Sequence, residues 1–163
     1  MLVRQLSAED FEAVLRINRP SLPNVARLDA EELRRLVALA DVTWVAEDAA
    51  RVAGYLLGMS NSAQYDGEEF QCLRARLNKP FLYVDQIAVA SEARRTNIGS
   101  KMYELLARWS HEHDIEVLCC EVNMKPENPV SMRFHEQMGF RKLGELETSD
   151  GRLVALLGKH ITA

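Results

Sequence analysis

The strongest constraint on this chain is a pair of buried-strand patterns joined by a helix pattern, all within about 40 residues, the length of a βαβ unit. Phe81–Val89 is an almost unbroken apolar run, the mark of a strand covered on both faces, and Ile115–Asn123 repeats it. Between them Ile98, Met102, Leu105, Leu106 and Trp109 fall on one side of a helix. Such a crossover predicts that the two strands are parallel neighbours or near neighbours.

The rest of the chain can be read around that unit. Residues 2–6 predict a short strand, and Ser7 opens a helix with Phe11, Val14 and Leu15 at helical spacing. Asn18–Asp29 contains Pro20 and Pro23 and predicts a loop. Asp29 caps a second helix with Leu33, Leu36, Val37 and Ala40 on its apolar side. Val42–Ala46 and Val52–Gly58 predict a hairpin. Met59–Pro80 has no clear period, with room for a short helix at Glu68–Leu77. A loop this long in a compact domain is usually functional. After the βαβ unit, Asn128 and Pro129 start a helix with Val130, Phe134 and Met138 along one side, ended by Gly139. Two strands, about Arg141–Glu147 and Arg152–Leu157, follow around Ser149, Asp150 and Gly151. The expectation is one α+β domain over residues 1–163.

Composition removes several classes of function. The net charge of −4 is evenly spread, with ten basic and twelve acidic residues on each side of Pro80, so there is no basic or acidic tail, which argues against a general nucleic-acid binder. Three cysteines, Cys72, Cys119 and Cys120, make no disulfide framework and no zinc spacing, and they fit a reducing cytoplasm. No apolar run approaches the roughly 20 residues that span a bilayer. The N-terminus turns polar after three residues, unlike a signal peptide.

Chemistry concentrates where the first buried strand ends. The segment VDQIAVASEARRTNIGSKMYELL passes from strand through a basic turn into a helix. Free backbone N–H groups and the helix dipole make such a turn an anion site suited to a pyrophosphate. Arg94, Arg95 and Lys101 add charge, and Gly99 permits close approach. Neither GxxxxGK[ST] nor GxGxxG is present.

A second stretch, EVNMKPENPVSMRFHEQMGF, lies one strand later. Together the two resemble the GCN5-related N-acetyltransferase (GNAT) family. The first family motif falls on Arg94, Arg95, Thr96, Asn97, Ile98 and Gly99; the second falls on Asn128, Ser131, Phe134, His135, Gly139 and Phe140. The resemblance implies a mostly antiparallel twisted sheet of about seven strands, a central parallel pair that splays, and about four helices. It implies acetyl-CoA as co-substrate, held along backbone near Ile87, Ala88 and Val89. Residues 94–101 (Arg94, Arg95, Thr96, Asn97, Ile98, Gly99, Ser100, Lys101) would hold the pyrophosphate. Asn128 and Ser131 would contact the cofactor, with Phe134 beside it.

Two positions depart from the family pattern. Asn97 replaces a glycine, and Asn tolerates left-handed backbone better than other non-glycine residues. His135 stands where the family usually has a tyrosine that protonates the leaving thiolate; a histidine can do the same work. Transfer to an amine also needs the amine neutral, and deprotonating a lysine-like amine at pH 7 costs roughly 4.6 kcal/mol. Asp85 is the expected base: it interrupts an apolar strand, and period two puts it on the face of Tyr83, Ile87 and Val89. Glu121, near the end of the next strand, is the competitor.

The reading is a cytoplasmic acetyl-CoA-dependent N-acetyltransferase acting on a primary amine within a ternary complex. A donor with a longer acyl chain, or a non-catalytic acyl-CoA sensor, fits the same motifs. The expected partners are acetyl-CoA and an amine acceptor, with a homodimer admitted, and with no metal, nucleic acid or membrane. Loops Asn18–Asp29 and Met59–Pro80 would line the acceptor site, where Asp66, Glu68 and Glu69 favour a cation.

Overall fold

The computed structural model describes residues 1–161. The elements in chain order are β1 (Leu2–Gln5), α1 (Phe11–Asn18), α2 (Ala30–Leu39), β2 (Val42–Asp48), β3 (Arg51–Ser60), α3 (Glu68–Arg76) and β4 (Phe81–Val89). Then come α4 (Ile98–Glu112), β5 (Val117–Lys125), α5 (Pro129–Gln137), β6 (Arg141–Glu147) and β7 (Leu153–His160). Five α-helices form where about four were expected, because the segment before Pro80 folds α3 around buried Phe70 and Leu73. The second buried strand begins two residues later than expected, at Val117, and runs on to Lys125. Asp29 accepts the Glu32 N–H at 2.8 Å and starts α2, as its position predicts.

All strands join one sheet in the order β1-β2-β3-β4-β5-β7-β6. The β4–β5 pair is parallel, as the βαβ unit requires, and the other pairs are antiparallel. Neighbouring residues on β3 show how the faces are covered. A Cβ on Gly54 would meet Ile98 and Met102 of α4, whereas the Tyr55 hydroxyl lies by Asn18 of α1. The helices α1 and α4 therefore cover opposite faces, and the core is built on both.

Two irregularities decide what the sheet can do. First, the β4–β5 ladder has three rungs, Phe81–Val117, Leu82–Leu118 and Tyr83–Cys119, and beyond them the strands part. Second, the β3–β4 register passes from Leu57–Gln86 to Gly58–Val84, so Asp85 is an extra residue in a β-bulge. A bulge breaks the period of two. Asp85 stays on the side of Tyr83, but Gln86 turns to the same side, toward Asn18. Ile87 and Val89 then fall on the α4 face, opposite Leu56 and Gly54. The expectation that Asp85 shares its face with Ile87 and Val89 is corrected by this one inserted residue.

Candidate active site

The gap between β4 and β5 is the first component of the site. Ala90 donates its N–H to the Ala53 carbonyl at 2.8 Å, on the β3 side. Backbone groups alternate along an extended strand, so those of Val89 and Ile87 turn toward the gap and those of Ala88 toward β3. An extended amide-containing chain can pair there as an added strand would.

The turn after β4 lies at the mouth of the gap. Arg95 and Asn97 both adopt left-handed backbone, with φ of 68° and 64°. Successive N–H groups in such a turn face one way and form an anion-binding concavity. Asn97 thus takes the conformation expected of it, and its carbonyl accepts the Lys101 N–H at 2.9 Å to start α4. The Thr96 hydroxyl ties the turn to the Ala93 carbonyl. Arg94 and Arg95 are exposed, and among the described residues no carboxylate pairs with either. Ile98 is buried beneath the turn, while Gly99 and Ser100 are half-buried and Lys101 is exposed. A Cβ on Gly99 would lie 3.2 Å from the Phe134 ring, so α4 and α5 meet closely here.

α5 supplies the facing wall. Asn128 accepts the Ser131 N–H at 3.3 Å as the helix cap, and Ser131 and Phe134 are half-buried. Of the apolar side expected, Phe134 and Met138 pack against the core, while Val130 is 75% exposed and Ser131 and His135 complete the inward side. His135 is only 4% exposed. Its Nδ1 lies 2.8 Å from the Ser131 carbonyl and its Nε2 lies 2.8 Å from the Tyr103 hydroxyl. A carbonyl only accepts, so Nδ1 carries the proton and a neutral ring accepts from Tyr103 at Nε2. Loss of hydration pushes the His135 pKa below the ordinary imidazole value, favouring that neutral form.

Where the strands part, each carries a carboxylate bonded to a tyrosine. Tyr65 donates to Asp85 Oδ1 at 2.7 Å, and Tyr83 donates to Glu121 Oε2. Both carboxylates are half-buried. Lost hydration pushes Asp85 up to about 6; the Tyr65 hydrogen bond opposes this, and Glu69 reinforces it. Glu121 rises well above the carboxylate range through burial and the nearby Glu69 and Asp85 charges. Arg152 Nη2 holds Glu69 at 3.1 Å, while its Nη1 donates to Asn123 on β5 at 3.1 Å. Asn123 donates in turn to the Pro23 carbonyl at 3.1 Å, and Gln86 on β4 donates to the Ala26 carbonyl at 3.0 Å. The α1–α2 loop therefore bridges both parted strands.

The site residues expected from sequence thus form two groups. Ile87, Val89, residues 94–101, Asn128, Ser131 and Phe134 surround the gap and its mouth, while Asp85 stands on the opposite face at the bulge. The expectation for Ala88 is corrected, because its backbone groups turn to β3 and not to the gap, and His135 lies buried behind the α5 wall with both ring nitrogens engaged. Tyr65, Tyr83, Gln86 and Asn123 were not anticipated. Tyr83 and Gln86 sit within an apolar run that reads simply as core, and Tyr65 sits in a stretch without period.

Residues 5–140 match the model of the acetyltransferase (GNAT) family. The chain belongs to that family. A curated relative, 5-NmdU N-acetyltransferase of Pseudomonas phage PaMx11, is 28% identical over 102 residues, 61% of this chain and 69% of the relative. The fold is also similar to Ard1 from Thermoplasma volcanium, with TM-score 0.78, 19% identity and coverage of 99% and 98% of the two chains. An aminoglycoside 6'-N-acetyltransferase solved with coenzyme A gives TM-score 0.73 at 13% identity, covering 100% and 98%. As a GNAT member the chain is an acyl-CoA-dependent N-acetyltransferase with acetyl-CoA as co-substrate. The unpaired strand edge and the left-handed turn fit the extended arm and the pyrophosphate of that molecule. No helix among the described residues is long and apolar enough to cross a membrane.

Proposed function

We propose that this acetyltransferase acts on a primary amine, which attacks the thioester of bound acetyl-CoA directly, with Asp85 as the base. Backbone at Ile87 and Val89 holds the pantetheine arm, and residues 94–101 hold the pyrophosphate. Asn128, Ser131 and Phe134 line the other wall. Asp85 takes a proton from the acceptor ammonium. The amine nitrogen then bonds to the acetyl carbon, the carbon–sulfur bond breaks, and coenzyme A leaves as thiolate, which takes up the second proton that the nitrogen sheds as it becomes an amide. The observation that carries this is the bulge, which presents a half-buried carboxylate where β4 leaves β5.

The two carboxylates differ in how far their surroundings disfavour the ionised form. With a pKa of about 6, Asp85 is ionised at neutral pH and able to accept a proton. Glu121 is pushed further up by burial and by the Glu69 and Asp85 charges, against the Tyr83 hydrogen bond, and is the weaker candidate for an ionised base. His135 enters this reading as a positioning residue. Its one ring proton is directed at the Ser131 carbonyl and its free lone pair is taken by Tyr103, which leaves no proton aimed at sulfur.

The test is a pH–rate profile of wild type and Asp85→Asn across a panel of primary amines. The panel includes 5-NmdU, the acceptor named for the phage relative. A base must be ionised, so wild-type kcat/KM should fall tenfold per pH unit below about 6. Asp85→Asn should lose about 10²–10⁴ at neutral pH and recover partly as rising pH deprotonates the amine unaided. An unchanged rate and profile in Asp85→Asn would remove Asp85 from the mechanism.

A further inference from the structure

We propose that Tyr65 is the positioning residue for Asp85: its hydroxyl fixes one carboxylate oxygen and leaves the other to meet the acceptor. This rests on the reading of Asp85 as the base. Tyr65 belongs to the segment between β3 and α3, outside every motif, yet its hydroxyl bonds Asp85 Oδ1 at 2.7 Å. Among the described residues that is the one hydrogen bond the Asp85 side chain receives, so Oδ2 stays unclaimed.

The tyrosine is itself held on several sides. Its ring stacks on Tyr83 with centroids 6.5 Å apart and leans on Phe70 at 5.5 Å. The Arg35 guanidinium of α2 lies 6.0 Å from the ring centroid. Gln71 of α3 donates to the Tyr65 carbonyl at 2.6 Å. Gly67 is part of the fit, because a Cβ there would lie 2.5 Å from Tyr65 Cε2. A group this constrained presents its O–H in one direction. Burial and the adjacent Asp85 charge raise the Tyr65 pKa, so the hydroxyl stays a donor throughout the working range.

The charges around Asp85 set the sign of the effect. Glu69 of α3 and Glu32 of α2 disfavour its ionised form, and Arg35 of α2 favours it. Tyr83 on its own strand, Tyr55 on β3 and Glu121 on β5 complete the surroundings. Tyr65 is the group whose hydrogen bond stabilises the carboxylate. Without that hydroxyl, Asp85 should take up its proton at higher pH and lose its fixed orientation.

The experiment is a carbon-13 NMR titration of the Asp85 side-chain carboxyl in wild type and Tyr65→Phe, paired with pH–rate profiles of both. The expected midpoint in Tyr65→Phe is about 1 pH unit above wild type, with the acidic limb of kcat/KM displaced equally. At pH 6 that is a several-fold loss, with KM for acetyl-CoA unchanged. Gly67→Ala, which pushes the ring aside and keeps the hydroxyl, should move the midpoint the same way. Thermal melts of each variant identify any loss of fold, and the titration of whatever remains folded still reads the midpoint. An Asp85 midpoint in Tyr65→Phe equal to wild type overturns the proposal. Failure of the underlying reading looks different, because Asp85→Asn would then keep the wild-type rate whatever Tyr65→Phe does.

Discussion

His135 shows how one residue's bonding changes its meaning. Its ring is enclosed by Tyr103, Phe134 and Phe140, with centroids 5.4, 5.3 and 5.3 Å away. Tyr103 is 2% exposed, and the buried Cys120 thiol lies against its hydroxyl. The histidine therefore joins α5 to α4 as the polar centre of an aromatic cluster. His135→Phe should strand the Tyr103 hydroxyl at a cost of about 1–3 kcal/mol. For a chain of this size that lowers the melting temperature by several degrees, about 2–4 °C per kcal/mol. The turnover of the folded variant at saturating acetyl-CoA should stay within a few-fold of wild type. A hundredfold loss of kcat without loss of melting temperature would instead make His135 the acid that protonates sulfur.

Among the elements, the turn between β4 and α4 has the most to do. Two residues in left-handed backbone are unfavourable by about 1–2 kcal/mol each for side chains other than glycine. Arg95 and Asn97 accept that conformation at the turn proposed to hold the pyrophosphate, where it lets successive N–H groups face one way. The double variant Arg94→Ala, Arg95→Ala should weaken acetyl-CoA by roughly 10- to 100-fold in calorimetry, at two lost charge-assisted contacts. Acetyl-pantetheine, which lacks the phosphates, should bind it as it binds wild type. Equal losses for both ligands would show that the turn does not hold the pyrophosphate. This turn was legible in the sequence because arginines, Asn97 and Gly99 stand at fixed offsets from a helix start. The βαβ order and the Asn128 cap were legible for the same local reason. The bulge was not: nothing in Val84, Asp85 and Gln86 marks an inserted residue, which depends on β3 pairing to either side of it. Tyr65 was hidden too, because its partner Asp85 is 20 residues away and only the fold of α3 brings them together.

At the scale of the whole molecule, three rungs hold two part-sheets together, β1 to β4 on one side and β5, β7 and β6 on the other. The parting of the strands serves the chemistry, but it also leaves unpaired backbone on two inner edges. Exposed edges of this kind are templates for another chain, and proteins ordinarily blunt or cover them. Here the α1–α2 loop crosses from Gln86 to Asn123, and the edges face each other across the gap rather than outward. In the proposed binding mode acetyl-CoA pairs along one of these edges, so it should shield that edge from self-association as well as donate its acetyl group. Light scattering during slow heating should show clouding at a higher temperature with millimolar acetyl-CoA than without it, and stronger protection than acetyl-pantetheine gives the same protein. Identical onset with and without the ligand would mean that these edges are not where aggregation begins. On that reading, a fall in acetyl-CoA would leave this inner edge unpaired at the same moment that it stops the enzyme's activity.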